Sequence, residues 1–531
     1  MTIAELIYCI YFAIMLFAKG IGLYEGQTLY TVALVASTGF LIIKIVVTKH
    51  SVLEYLIMAV LVGLGGILFL NTREKSALIY ILMIIGMKDV SVKRVFRVGL
   101  GVWGGTFLFQ VVSSLLGLRE DVFFIHKKLG LGHLIRWSLG YPHPNVLHIS
   151  YFILLAFILY CMQPEGKRLM KTLVIMFLGN LYIFAYSLSY TGFLLTTLFL
   201  MIYCYFQARK KISRVEDVLI QAVFPVCVLF SIVGPLVFKG RLFDIFNKLL
   251  NTRFELSRYF LTTQQLGAFG TKSFDLPDSS YNLDCSYVNA LFYHGIVLTI
   301  CMITGYVLLI RYLYRENRRS ELAITLGIVI AGVSEPFLVN TSYKNLSFLF
   351  MGEMLYAMTG KYHEKWGFWG KSFALLPVGM RPCRTGKKRT VSVWTGLKEA
   401  IGAIGHQYKK VLVIAAILSF LASAGAYLTV LDHPDRVYAL LWSCDRKENA
   451  GQPADAEYVY LDRENLPEDF NGRILNYRDK ETPLYEFDGI TVRYEYARTA
   501  ASYGMITAGA VTVIMTAGLG IGAACKKKER A

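Results

Sequence analysis

The run "LEYLIMAVLVGLGGILFL", residues 53–70, decides the fold, because only one of its 18 residues is charged. At 1.5 Å of rise per helical residue the run is about 27 Å long, close to the thickness of a bilayer's hydrocarbon core. Similar runs recur along the chain and predict repeated membrane crossings. The predicted spans are 5–22, 27–48, 53–70, 75–88, 97–117, 147–162, 170–188, 190–207, 217–238, 287–310, 321–339, 344–360, 411–430 and 502–524.

The composition indicates the same class. Of the 531 residues, 55% are hydrophobic and 17% are charged, and the mean hydropathy is +0.48. Soluble domains carry about 25% charged residues. The predicted fold class is an all-α polytopic integral membrane protein with about 14 transmembrane helices. The N-terminal "MTIAELIYCI" lacks the basic region of a cleavable signal peptide, and no small-residue cleavage site follows.

The basic clusters predict the orientation of the chain. Lysine and arginine near short loops favour the cytoplasmic side of a membrane. All clusters fall at even-numbered crossings, so we expect both termini to be cytoplasmic in a multi-pass protein of the cytoplasmic membrane. The net charge of +18 is explained without nucleic acid as a partner. The clusters are 44–50, 88–97, 165–171, 208–214, 311–319, 386–389 and 526–530.

Metal chemistry has no signal in the sequence. The nine cysteines show no CxxC or Cys/His ligand spacing and are interpreted as small buried hydrophobic residues. The sequence therefore predicts no metal site and no cofactor.

Three long segments are expected on the outer side, at 118–146, 239–286 and 431–501. The last belongs to an appended module at 411–531, which comprises a span, an extracytoplasmic part and a second span. A basic cytoplasmic linker at 361–410 precedes it. Because polar residues alternate with aromatic and β-branched ones, the part at 431–501 is predicted to be a small domain with some strand.

The first outer segment ends in "RWSLGYPHPNVLH", residues 136–148, which combines polar residues with two prolines at the start of a span. Proline fixes φ and disfavours helix in the preceding residue, so a stiff polar loop is expected. Its candidate binding residues are Arg136, His143 and Asn145. The alternative is an ordinary interfacial turn in which Asn145 caps the next helix.

The second outer segment contains "NTRFELSRYF", residues 251–260, where cations lie on the side that positive charge normally avoids. Arg241, Arg253 and Arg258 are therefore candidates to bind an anionic ligand. The alternative is that these arginines extend to lipid phosphates and anchor an interfacial helix.

Polar groups also fall at the outer ends of two predicted spans. Asp284, Tyr287 and His294 lie at the start of one, and Glu335 precedes a proline near the end of the next. Ionisable groups in membrane segments are costly, so they are candidates for a functional site. A packed, interfacial role is the alternative for His294.

Five motifs in this order carry a family resemblance: "LGYPHPN" (139–145), "SLSYTGFL" (187–194), "LLNTRFELSRYFL" (249–261), "LDCSYVNALFYHGI" (283–296) and "SEPFLVNTSYKN" (334–345). Residues 1–360 resemble the Wzy-type polymerases of oligosaccharide repeat units, and more distantly the O-antigen ligases. The chain has Tyr190 where such proteins usually have an arginine. Residues 411–531 have no counterpart in the resemblance.

The resemblance implies a GT-C-like multi-helix bundle that is a metal-independent glycosyltransferase. It would transfer glycan from an undecaprenyl-pyrophosphate-linked donor to a hydroxyl of a lipid-linked acceptor at the outer face. Partners implied are the membrane and the flippase and chain-length regulator of the same pathway. The product would be a bacterial surface polysaccharide such as a capsule or exopolysaccharide.

The chemistry implied needs a cation for the leaving pyrophosphate and a base for the attacking hydroxyl. The expected catalytic residues are Arg253, Asp284, Glu335 and His143, with His294 as a further candidate base. The expected substrate-binding residues are Arg258, Arg136, Asn145, Tyr287, Arg241 and His294. A glycan ligase, a flippase and a non-enzymatic assembly protein remain alternatives.

Overall fold

The chain divides into two compact units, residues 1–110, 145–184 and 189–383 in the first and residues 111–144, 185–188 and 384–531 in the second. The computed structural model describes residues 2–119, 121–127, 133–209, 211–277, 281–360, 367–375, 406–431, 433, 437–440, 460–461, 473–475, 484–486 and 489–529.

Helices account for most of the described residues. The first part of the chain forms α1 (Ile3–Gly20), α2 (Thr28–Val47), α3 (Val52–Thr72), α4 (Ser76–Ile85), α5 (Val92–Leu115), α6 (Pro144–Met162), α7 (Gly166–Ser187), α8 (Tyr190–Ala208) and α9 (Arg214–Ile232). It continues with α10 (Gly234–Val237), α11 (Gly240–Leu249), α12 (Arg253–Thr263), α13 (Ser286–Asn289), α14 (Gly295–Arg315), α15 (Arg319–Ala331), α16 (Ser347–Gly360), α17 (His406–Val430) and α18 (Gly489–Glu529).

The predicted class of a helical, multi-pass membrane protein is confirmed. Eleven helices of the described chain are long and apolar enough to cross a bilayer, where Ser286–Arg315 counts as one. The other three predicted spans coincide with α4, α15 and α16, which have 10, 13 and 14 residues. At 1.5 Å per residue these helices measure about 15, 20 and 21 Å, less than a hydrocarbon core. The count of fourteen spans stays a prediction.

The two short helices α15 and α16 lie in the core of the first unit. In α15, eleven of 13 residues are buried. Its Gly327 allows close packing against α8, because a Cβ there would lie 2.6 Å from the ring of Phe199. The chain between the two helices, residues 332–346, is irregular apart from a 3-10 turn at Pro336–Leu338. Irregular backbone at membrane depth is tolerated where protein surrounds it.

The start of the predicted 361–410 linker is tied to the first unit, and most of the rest lies outside the described residues. Strand β1 (His50–Ser51) pairs antiparallel with β4 (Ser372–Phe373). The hydroxyl of Tyr55 also donates to the carbonyl of Phe373 at 3.1 Å. This strand pair joins the α2–α3 loop to the chain that follows α16.

A π-helical turn at Ala290–His294 interrupts the span between α13 and α14. Residues 267–271 add to this opened turn as a strand would: the Thr271 amide donates to the Phe292 carbonyl at 3.1 Å, and the Ile296 amide donates to Gly267 at 3.2 Å. Helix starts leave amide groups without helical partners, so the added segment satisfies them. The contact requires glycine, because Gly295 has φ +83° and a Cβ there would lie 2.2 Å from the Gly270 nitrogen.

We therefore expect Gly295→Ala to destabilise the protein by about 1–3 kcal/mol, the usual cost of a strained backbone position. Gly63→Ala, in the exposed middle of α3 with open space around its Cβ, is the matched control and should change little. Thermal unfolding of detergent-purified protein measures both. Equal midpoints for the two variants would contradict the packing described here.

The second unit contains an antiparallel hairpin of β2 (Phe123–Lys127) and β3 (His133–Trp137). It also contains the pair of helices α17 and α18, where Tyr427 and Tyr503 stack at 5.2 Å. Four short strands form a sheet in the order β6 (Tyr460–Leu461), β8 (Leu484–Glu486), β5 (Val437–Leu440), β7 (Arg473–Leu475). The other residues of 431–488 lie outside the described residues, apart from Leu431 and His433.

The predicted boundary between the outer module and the last span, at residues 501 and 502, stays a prediction. Helix α18 begins at Gly489, within the stretch 431–501 that the sequence assigns to the outer module. The aromatic and β-branched residues there suggest strand, but Val492, Glu495, Tyr496 and Ala500 are buried at helical spacing. Burial of one helical face overrides the local preference for strand.

Candidate functional site

Arg253 is the first residue of α12, and the preceding turn fixes its place. Asn251 and Thr252 both have positive φ, +52° and +67°. This conformation is unusual for a β-branched residue such as threonine. The side chain of Asn247 in α11 caps the new helix, because its Oδ1 accepts from the Glu255 amide at 3.0 Å. The α11–α12 corner therefore determines where the guanidinium lies.

The guanidinium of Arg253 meets two carboxylates. Its Nη2 lies 3.0 Å from Asp284 Oδ2 and 3.4 Å from Glu335 Oε1. The side chain of Arg253 is 4% exposed, Glu335 is 9% exposed and Asp284 is 41% exposed. Nη1 donates to the Leu250 carbonyl at 3.3 Å, while the buried Nε has no acceptor in the described part of the chain. We call these three residues the Arg253 cluster.

The two carboxylates come from neighbouring irregular segments that Ser286 ties together. The Ser286 amide donates to the Gly332 carbonyl at 2.8 Å, and its hydroxyl donates to the backbone carbonyl of Glu335. The same hydroxyl accepts from the Leu338 amide at 3.1 Å. The start of α13 and the break after α15 are thus held as one element, which fixes the spacing of Asp284 and Glu335.

Partial burial raises the pKa of the Asp284 carboxyl, and the nearby Arg253 guanidinium opposes that shift. Removal from water disfavours a charged carboxylate, whereas a close cation favours it. Asp284 is also the most exposed member of the Arg253 cluster. It combines solvent access with an increased affinity for a proton.

The sequence interpretation missed Lys344, which lies near the Arg253 cluster, and Lys19, which lies near Lys344. Lys344 lies within electrostatic range of both Glu335 and Lys19. Lys19 in turn lies over the ring of Tyr30 at 4.1 Å from its centroid. Lys344 falls inside the motif "SEPFLVNTSYKN", so its position could have drawn attention, but a lysine at the end of the first span carried no signal.

The other candidates of the first unit have different surroundings. Tyr287 is fully buried and donates to the Val329 carbonyl at 2.5 Å, which holds α13 on α15. His294 is buried with Nε2 3.4 Å from the Ser76 hydroxyl. Arg258 is half-buried over the Phe243 ring at 4.9 Å, and Arg241 is exposed on α11. Their predicted binding roles stay predictions.

Near the start of α6, half-buried Asn145 is the helix's second residue. One turn further, Nε2 of His148 donates to Asn180 Oδ1 at 2.7 Å. Gly192 of the "SLSYTGFL" motif has a packing reason, because a Cβ there would lie 2.6 Å from Cγ of His148.

In the second unit, Arg136 is buried and its Nε donates to the Ser187 carbonyl at 2.8 Å. His143 is half-buried, and its ring lies 4.7 Å from that of Phe124. Arg136 and His143 were chosen from the sequence as polar residues near two prolines, and that pattern does not predict a hairpin. It is, however, consistent with the β-branched and aromatic residues on either side of "KLGLG" (128–132).

The same unit contains a buried ion pair between α18 residues. Arg498 Nη2 lies 2.6 Å from Glu495 Oε2, and their side chains are 9% and 4% exposed. The indole Nε1 of Trp137 donates to Glu495 Oε2 at 2.9 Å. The Arg498 guanidinium also stacks on the rings of Trp137 and Tyr186 at 4.8 and 4.7 Å. Helix α18 thus contacts the strand β3 of the first predicted outer segment.

Among the described residues, no group of three or more His, Cys, Asp or Glu side chains is placed to hold a metal ion. No family model, no curated protein and no solved structure matches this chain.

Proposed function

We propose that this protein polymerises lipid-pyrophosphate-linked oligosaccharide repeat units of a surface polysaccharide. The observation that carries the proposal is the Arg253 cluster, a buried guanidinium between two carboxylates beside a break in the helices. Ionisable groups and irregular backbone at membrane depth are both costly and mark functional sites. The resemblance of residues 1–360 to Wzy-type polymerases supplies the reaction class.

In this reaction a hydroxyl oxygen of the acceptor glycan attacks the anomeric carbon of the donor. The bond between that carbon and the pyrophosphate oxygen breaks, and the lipid pyrophosphate leaves with the electron pair. Negative charge grows on the leaving oxygen, and a fixed cation there lowers the barrier. Arg253 fits this role, because its guanidinium is always charged and binds phosphate oxygens through two donors.

The proton of the attacking hydroxyl goes to Asp284 in the proposal. A general base works best when its pKa lies near the working pH, and burial shifts the pKa of Asp284 upward. Glu335 is assigned as a positioning residue: it is nearly buried and holds the other side of Nη2. Lys344, within electrostatic range of Glu335, adds a second cation for phosphate.

A deletion strain tests the function. Lipid-linked glycan is extracted after intact cells are treated with an impermeant oxidant that destroys exposed sugars. Loss of a polymerase leaves single repeat units that are accessible from outside. Protected single units would identify a flippase, and accessible long chains on the lipid carrier would identify a ligase; either result overturns the proposal.

Asp284→Asn is expected to reduce the polymer yield by about 100-fold or more, in the range for loss of a general base. Asp275→Asn, an exposed carboxylate of the same outer segment, is the control and should give normal polymer. In the wild-type protein the rate should rise with pH through the raised pKa of Asp284, because only the deprotonated carboxylate accepts the proton. Normal polymer length and yield from Asp284→Asn would exclude this residue as the base.

A further inference from the structure

One face of helix α11 is apolar and exposed. Leu242, Ile245 and Leu249 are 47%, 50% and 51% exposed. At about 100° of rotation per residue, the three side chains fall within an arc of about 60°. They form a narrow apolar stripe along ten residues of amphipathic helix.

The protein-facing side of α11 is different and already occupied. Phe243 and Phe246 pack on Phe254 of α12, with ring centroids 5.6 and 5.9 Å apart. Phe246 also contacts Phe230 of α9 at 5.1 Å. These residues lie about 40–100° beyond the stripe on the helical wheel, so the stripe is not needed for folding of the α11–α12 corner.

Charged residues border the stripe on its other side. Arg241 and Lys248 are both exposed and lie about 40–60° from Ile245 around the helix, while Asp244 lies farther round. Lys239 just before the helix is exposed as well. Long cationic side chains at the edge of an apolar face can reach phosphate groups while their stems stay in apolar surroundings.

Exposed apolar side chains also occur in the chain just before α11. At the end of α9 and through α10, Leu229, Val233, Leu236 and Val237 are 59%, 42%, 41% and 62% exposed. Helix α9 is one of the candidate membrane spans, so its exposed apolar side faces lipid. Helix α11 therefore follows a lipid-facing segment within a few residues of chain.

We propose that α11 lies in the headgroup layer of an anionic membrane surface. Its apolar stripe contacts the upper acyl chains, and Arg241 and Lys248 bind lipid phosphates. This interaction does not depend on the proposed reaction. It has a consequence for the Arg253 cluster, because Asn247 and the two phenylalanines of α11 hold the start of α12. In the proposal, the bilayer surface then holds the α11–α12 corner and, with it, the position of Arg253.

The test uses the full-length protein in vesicles that contain phosphatidylglycerol. Ile245→Cys and Asp244→Cys are each labelled with an environment-sensitive fluorophore, and labelled wild-type protein gives the background from native cysteines. We expect a doxyl group near the lipid headgroup to quench the label at 245 at least about twofold more than the label at 244. Iodide in the aqueous phase should show the opposite order.

Leu249→Cys or Leu242→Cys replaces Ile245→Cys if that variant does not fold, as judged by gel filtration, and each is compared with Asp244→Cys. Equal iodide quenching at both members of a pair, with no effect of the doxyl lipid, would place the stripe in water and overturn the proposal. Energy transfer between labelled copies at the stripe would also overturn it, because the stripe would then be covered by a second copy of the chain. In phosphatidylcholine alone, we expect weaker doxyl quenching of the label at 245, since the cations lose anionic partners.

Discussion

Replacing Arg253 with lysine is expected to reduce polymer yield by about 100-fold or more, the loss typical when a fixed donor to a developing negative charge is removed. One nitrogen of this side chain reaches both Asp284 at 3.0 Å and Glu335 at 3.4 Å. Its Nη1 donates to the Leu250 carbonyl, and in the proposal the donors that remain would bind a phosphate group. A lysine ammonium keeps the charge but offers no planar pair of donors, so charge alone does not restore the arrangement.

Arg214→Lys is the matched control for this experiment. Arg214 is likewise the first residue of a helix, α9, but its side chain is exposed. A lysine there keeps the charge in water, and we expect polymer close to the wild-type amount. Polymer length and yield are compared in cells with matched membrane levels of each variant. Near-normal polymer from Arg253→Lys would refute the role of the guanidinium in leaving-group stabilisation.

Arg253→Ala is expected to be at least as inactive and also less stable. Removal of the guanidinium takes from Glu335 the cation that it contacts, and loss of one partner of a buried ion pair typically costs about 3–5 kcal/mol. A comparison of the lysine and alanine variants separates the two effects. The lysine variant should be inserted and folded normally while it makes little polymer.

The second large effect is expected from Arg498→Ala in α18. This change leaves Glu495 buried next to Trp137 without its cation, and we expect a loss of about 3–5 kcal/mol in stability. The double variant Glu495→Gln with Arg498→Met removes both charges and keeps an oxygen that accepts from the Trp137 indole. It should regain most of the stability, because uncharged groups of similar size replace a buried pair with little penalty.

Thermal unfolding in detergent measures these variants, and trypsin digestion of the first outer segment follows the local effect. We expect Arg498→Ala to expose 118–146 to cleavage, since Arg498 and Glu495 both contact Trp137 of β3. Unchanged stability of the single variant would show that the ion pair contributes nothing to the second unit. A double variant as unstable as the single one would mean that packing, and not the unpaired charge, accounts for the loss.

The sequence predicted the long spans well because their signal is simple. A run such as 53–70 has no competing interpretation, and α3 covers it as Val52–Thr72. The core helices were harder, since 321–339 and 344–360 are also apolar. Hydropathy records how apolar a segment is but not where its helix stops. The helix ends at Ala331, and the average hydropathy of the segment does not reveal this end.

The sequence predicted the kinds of residue in the candidate site better than it predicted which residues lie there. Arg253, Asp284 and Glu335 stood out because charges in apolar surroundings are rare, and the fold brings these three together. Lys344 was missed because hydropathy and charge bias contain no distances. Tyr287 shares a motif with Asp284, yet its hydroxyl is used by a backbone carbonyl inside the core.

The shortness of α15 sets the depth at which the proposed reaction would occur. Its 13 residues rise about 20 Å from the Arg318–Glu321 pair at its start, whereas a hydrocarbon core is about 30 Å thick. Glu335 follows four residues after the helix ends, so in the proposed function, with the start of α15 at the cytoplasmic interface, the reaction would take place below the lipid phosphates of the outer leaflet. Withdrawing a lipid chain from the bilayer costs about 0.8 kcal/mol per CH₂ group. In the proposed reaction a long-chain carrier would therefore keep its tail fully in the membrane while its phosphates move down to Arg253, and the water-soluble glycan would move to that depth with them.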